Sequence, residues 1–230
     1  IILGDSHADA IASSITSILN LSKDGVIYAA RSGCPYILNA RFNEDISFCT
    51  KINEDRHQYL KQHKNTPIFI VNRYLERMEG ENNIDRDNSQ IIYFSDKKST
   101  KKEKYLEFQD NFEKSICDIS PISPVYIVST IPEMGINIPP LMAKQMMTLN
   151  KILDNSISYS QYQNRSSQMN KLLEDVAQKC NAKILAPSKI LCQQGKCISE
   201  YKGRSIYRDG DHLSEYGNKL LTPMFEEVLN

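Results

Sequence analysis

The sequence predicts an α/β fold, a three-layer α/β/α sandwich around a mostly parallel five-stranded sheet. Its short apolar runs are β-branched and lack polar alternation, as expected of strands buried on both faces. Between them, apolar residues recur at helical spacing. Strand, helix and strand in repeated alternation require crossover connections, and these make a sheet parallel. In chain order the strands are "IIL" (1–3), "GVIYAA" (25–30), "PIFIVN" (67–72), "PVYIVST" (124–130) and "AKILAP" (182–187). Ile11, Ile15, Ile18 and Leu19 mark the first helix, and Tyr105, Phe108, Phe112 and Ile116 a middle one. Met169, Leu172, Leu173 and Val176 mark the next, and Leu220, Leu221, Met224, Phe225 and Val228 the last. Residues 73–104, dense in charge and Asn, are read as a solvated excursion without chemistry.

The 230 residues, 40% of them hydrophobic, suffice for one sizeable core, so a single domain over 1–230 is expected. Lys plus Arg and Asp plus Glu are 28 each, which leaves no net positive field to gather nucleic acid or anionic lipid. No apolar run approaches the roughly 20 residues of a membrane helix. The chain starts on a strand without Met, and is expected to be the C-terminal part of a longer, membrane-anchored protein.

Six cysteines are many for a reducing compartment. Cys34 and Cys49 flank one loop, and Cys192 and Cys197 flank the turn "CQQGKC", so two local disulfides are the simplest reading. No Cys-x-x-Cys occurs to favour a metal instead. Cys117 and Cys180 are expected to be buried free thiols. The local pairs imply an oxidising compartment.

Chemistry concentrates at the two ends of the chain. Ser6 of "ILGDSHADA" falls at the carboxyl end of the first strand, where ligands bind in such sheets and a helix N-terminus offers unpaired N–H groups. A serine nucleophile needs a base held by a third group. His57 and His63 lie in "EDRHQYLKQHKN", which reads as an exposed helix, and the side chain of His7 should diverge from the Ser6 hydroxyl. His212 in "YRDGDHLSEYGN" lies between the last strand and the last helix, and Asp209 can reach across one turn to hold its Nδ1–H. Asp5 is read as a structural acceptor of backbone hydrogen bonds, and Asp211 as an ordinary turn acid.

With "GDS" at 4–6 and Asp-x-x-His at 209–212, the chain resembles the SGNH (GDSL-type) hydrolases. "GDSHA", "RSGCPY" (31–36), the "LC" then "GKC" turn and "YRDGDHLSEYGN" bring it nearest the periplasmic SGNH domain fused to membrane acyltransferases in bacterial O-antigen acetylases. The resemblance implies an SGNH hydrolase-like, flavodoxin-like fold and the triad Ser6, Asp209 and His212. It also implies an oxyanion hole from the N–H groups of Ser6 and Gly33 and the side chain of Asn72 or Arg73. It implies a serine-dependent acyltransferase that needs no metal or organic cofactor, at the periplasmic face of the bacterial inner membrane. An upstream membrane acyltransferase domain would deliver the acetyl groups, and a surface polysaccharide such as lipopolysaccharide O-antigen would accept them; a carbohydrate O-acetyl esterase is the alternative.

Two further readings compete. Asp5-x-His7 could open a metallophosphoesterase motif, but the required Asn-His pair is absent and "GDHLS" (210–214) lacks the second acid. A non-catalytic carbohydrate-binding module on a decayed hydrolase fold is disfavoured by the complete Ser, His and Asp set.

Overall fold

The computed structural model describes residues 1–41, 48–83, 92–94 and 99–229. Five strands form the central sheet: β1 (Ile2–Gly4), β2 (Tyr28–Ala30), β3 (Ile68–Val71), β4 (Val125–Val128) and β5 (Lys183–Leu185). Their order is β2-β1-β3-β4-β5 and every pairing is parallel. β1 therefore lies where the winding reverses, with Leu3 opposite Ala29 on one side and Ile70 on the other. The crevice beyond its carboxyl end is the place such a sheet leaves for a ligand.

The pleat sends alternate strand residues to two cores. Ile2, Phe69, Val71, Tyr126 and Val128 pack toward α1 (Ser6–Thr16), and toward Met224 and Phe225 near the end of the chain. Leu3, Ile68, Ile70 and Ile127 face α2 (Phe48–Gln62), α4 (Lys101–Cys117) and α6 (Tyr159–Lys179). The short α3 (Tyr74–Glu79) follows β3, and α5 (Ile138–Leu149) follows β4. The final helical stretch is broken into α8 (Glu215–Asn218), a 3₁₀ turn (Lys219–Leu221) and α9 (Thr222–Leu229), beyond the short α7 (Ser188–Leu191). Among the described residues no helix is long and apolar enough to cross a membrane.

Cys34–Cys49 and Cys192–Cys197 are disulfides, as the sequence leads one to expect. Cys117 and Cys180 are a correction: they are not free thiols but a third disulfide, spanning 63 residues. It ties the end of α4 to the end of α6, and closing a loop of that length is worth about 4 kcal/mol in the chain-entropy model.

Two other expectations need revision. The 73–104 segment is only in part an excursion, because Tyr74, Leu75, Glu76, Arg77 and Met78 of α3 are buried. Residues 84–91 and 95–98 of it lie outside the described residues. The helix carrying His57 is likewise not exposed on that side. Asn53, Arg56 and His57 are buried because they bind the 33–37 loop: Asn53 donates to the Pro35 and Ile37 carbonyls, and Arg56 to those of Cys34 and Gly4.

Candidate active site

Gly4 ends β1 at φ +145°, where an added Cβ would collide with the Val71 carbonyl oxygen, so only glycine lets β1 lie this close to β3. Asp5 then caps α1. Its carboxylate accepts from His7 N–H at 2.9 Å and from Arg73 N–H at 2.8 Å, lashing the ends of β1 and β3 together. This is the structural role read from the sequence. Ser6 is the first residue of α1, and neither its backbone N–H nor that of Gly33 has a protein acceptor among the described residues.

The 208–214 loop returns from the far end of the chain. Arg208 N–H donates to the His212 carbonyl at 3.0 Å, Met134 N–H to the Gly210 carbonyl at 2.7 Å and Ile138 N–H to that of Asp209 at 3.2 Å, which clamps the loop to the segment after β4. Behind it, Asn218 of α8 donates to the Ala10 carbonyl of α1 at 2.9 Å. So held, His212 lies with Nε2 2.7 Å from Ser6 Oγ, and its Nδ1 2.8 Å from Asp209 Oδ2. Asp209 Oδ1 accepts the N–H groups of Asp211 and His212. Burial alone would push the Asp209 carboxyl up, but the hydrogen bonds from His212 and from these two N–H groups bring it down to about 2.

Asp211 is not an ordinary turn acid. It is 1% exposed, its Oδ1 lies 2.7 Å from His212 Nδ1 and 3.4 Å from His7 Nε2, and its Oδ2 is 3.2 Å from the Arg73 guanidinium. His7 points to Asp211 rather than to the Ser6 hydroxyl, but it stays beside the site, with its ring centroid 4.7 Å from that of His212. Burial would lower the His212 pKa; hydrogen bonds to Asp209 and Asp211 outweigh it and raise the imidazole to about 9. With both carboxylates on its Nδ1 side, the neutral ring keeps its proton on Nδ1 and turns a free Nε2 lone pair to Ser6.

The two oxyanion candidates after β3 differ. The Asn72 amide is locked against the backbone of Tyr36, with Oδ1 accepting from its N–H at 2.9 Å and Nδ2 donating to its carbonyl at 3.3 Å. Arg73 is turned away from an oxyanion role, because its guanidinium is spent on carboxylates: Glu133 at 3.0 Å, Glu81 at 2.7 Å, Glu76 at 3.3 Å and Asp211. Gly33 adopts φ +78°, and Arg77 holds its carbonyl at 3.1 Å.

His7, Asp211 and His212 bring possible metal-ligand atoms within 4.8 Å of one another. The donor set does not suit a two-metal hydrolase. Asp5, the acid of the Asp-x-His pair, is spent on backbone N–H groups, and the cation beside Asp211 is the Arg73 guanidinium. That network of Arg73, Glu133 and Asp211 is what sequence reasoning missed, since its members are far apart in the chain. The one available signal was Glu133 of "IPEMG", an acid just beyond a buried strand.

Residues 1–227 match the family model described as "SGNH domain (fused to AT3 domains)". No curated protein matches the chain. Among solved structures, the periplasmic domain of a lipopolysaccharide acetyltransferase from Salmonella ser. Paratyphi A is similar at a TM-score of 0.70 and 15% identity, covering 98% of this chain and 81% of that one. At that identity the likeness speaks for the fold.

Proposed function

We propose, from the premise that this chain belongs to the family of SGNH domains fused to AT3 domains, that it is a serine-dependent O-acetyltransferase domain acting on a surface polysaccharide. The observation that carries the reading is the unbroken line from Asp209 through His212 to Ser6 Oγ, with contacts of 2.8 and 2.7 Å. In the first step His212 Nε2 takes the Ser6 proton as Oγ attacks the acetyl carbonyl. The N–H groups of Ser6 and Gly33, with the Asn72 amide, receive the oxyanion. His212 returns the proton to the leaving group, and an acetyl-serine remains. In the second step His212 deprotonates a sugar hydroxyl, which attacks that ester and frees Ser6. Asp209 orients His212 throughout.

The fusion named by the family supports a membrane acyltransferase as the acetyl source and the periplasmic face of the inner membrane as the place of work. Lipopolysaccharide is the substrate class named for the Salmonella relative, and its O-antigen is the proposed acceptor here. Hydrolysis and transfer share the acetyl-serine, so the outcome depends on whether water or sugar reaches it first. Incubation with an activated acetyl ester and rising O-antigen oligosaccharide is expected to divert product from acetate to acetyl-sugar. Fast hydrolysis that no acceptor diverts, together with deacetylation of native polysaccharide, would make the domain an esterase instead.

A further inference from the structure

Two carboxylates converge on the Nδ1 side of His212, where a serine triad needs one. Asp209 takes the hydrogen bond at 2.8 Å; Asp211 stands 2.7 Å from the same nitrogen, buried, and held from behind by Arg73 at 3.2 Å. We infer that Asp211 is a second positioning residue for His212, which holds positive charge on the imidazole while Asp209 aligns it, so that Ser6 is activated under alkaline rather than neutral conditions. The inference rests on the serine mechanism proposed above.

The surroundings of His212 support a charge-holding role. The groups facing it are Ser6 from α1, His7 from the same helix with its ring 4.7 Å away, and Asp209 and Asp211 from its own loop. Arg73, the cation nearest the pair of acids, is itself spread over Glu76, Glu81 and Glu133, so it anchors Asp211 without cancelling its field at His212. His7 reaches the same Asp211 oxygen at 3.4 Å and competes with His212 for it. The raised pKa of His212 agrees in direction. A protonated imidazole cannot take the Ser6 proton, so the active fraction grows as pH rises toward that value. The domain is therefore restrained at neutral pH both in forming the acetyl-serine and in passing the acetyl group on, since His212 is the base in each step.

The test compares Ser6→Ala, Asp209→Asn, Asp211→Asn and the double Asp variant on a small acetyl ester, with the pH profile of kcat/KM and ¹⁵N NMR titration of His212. We expect Asp211→Asn to move the rising limb of the profile and the NMR midpoint of His212 down by at least about one pH unit, as loss of a close carboxylate requires. Asp209→Asn should cost less than about 100-fold in kcat because Asp211 still braces the ring. The double variant should fall by the roughly 10⁴-fold seen when a triad loses its only orienting acid. If Asp211→Asn keeps the wild-type limb and midpoint, or if Asp209→Asn alone costs the full amount, the inference is overturned. Should Asp211→Asn fail to fold, the Asp209→Asn value and the wild-type midpoint decide, and a midpoint near 6.5 would contradict it. Full activity in Ser6→Ala would instead overturn the serine mechanism itself.

Discussion

Two histidines in this molecule, His57 buried and His212 half-buried, sit in nearly mirrored settings and are driven in opposite directions. His212 has a serine hydroxyl at 2.7 Å on Nε2 and carboxylates on Nδ1; His57 has the Tyr36 hydroxyl at 2.7 Å on Nδ1 and Asp118 at 3.2 Å on Nε2. Burial penalises the charged form of both. For His57 it wins and the pKa falls below the usual value, because Asp118 is 45% exposed and shared with Lys61. For His212 it loses to two carboxylates, one of them only 1% exposed, and the pKa rises to about 9. A hydroxyl and a carboxylate around a histidine do not by themselves make a base. The number, burial and neutralisation of the acids decide.

Truncation separates the two histidines most plainly. His212→Ala is expected to lower kcat on an acetyl ester by about 10⁴-fold or more, as removal of a triad base does. His57→Ala should change kcat by less than about tenfold, while leaving the buried Tyr36 hydroxyl unpaired at a cost of about 1–3 kcal/mol in urea unfolding. Equal losses of activity in the two variants would show that His57 belongs to the chemistry. Stability against pH separates them again. The folded pKa of His212 lies above the ordinary 6.5, so its contribution is complete below that pH and is lost as pH rises through about 9. His57 is shifted the other way, and its burial costs stability as pH falls through 6.5 and below. His212→Ala should therefore flatten the alkaline limb of the stability profile, and His57→Ala the acid limb.

Lys61→Met removes the cation that shares Asp118, so the NMR midpoint of His57 should rise while that of His212 stays put. A fixed His57 midpoint would mean that burial alone sets it.

What could be read from the sequence follows the range of the interaction. The strands were legible because a strand buried on both faces writes an unbroken apolar run; β2 to β5 fall within the segments expected, and β1 runs one residue past its segment, to Gly4. Ser6 was placed by the strand-to-helix turn after Gly4, and Asp209 by its spacing from His212. The pairing of Asp211 with Arg73 was hidden because 138 residues separate them and nothing local marks either as buried. For the same reason His57 looked exposed, since a polar helix face that binds backbone carbonyls of another loop reads like a solvated one. Cys117 and Cys180 lie on two helices whose relative register no local pattern records.

In the proposed mechanism Ser6 carries the acetyl group between donor and acceptor under the control of His212. The most direct measurement is peptide mapping by mass spectrometry after brief exposure to an activated acetyl ester in acid-quenched samples. One acetyl group is expected on the peptide containing Ser6, absent from Ser6→Ala and His212→Ala, and chased off by acceptor sugar. Turnover of the ester with no acetyl on Ser6, undiminished in Ser6→Ala, would contradict it.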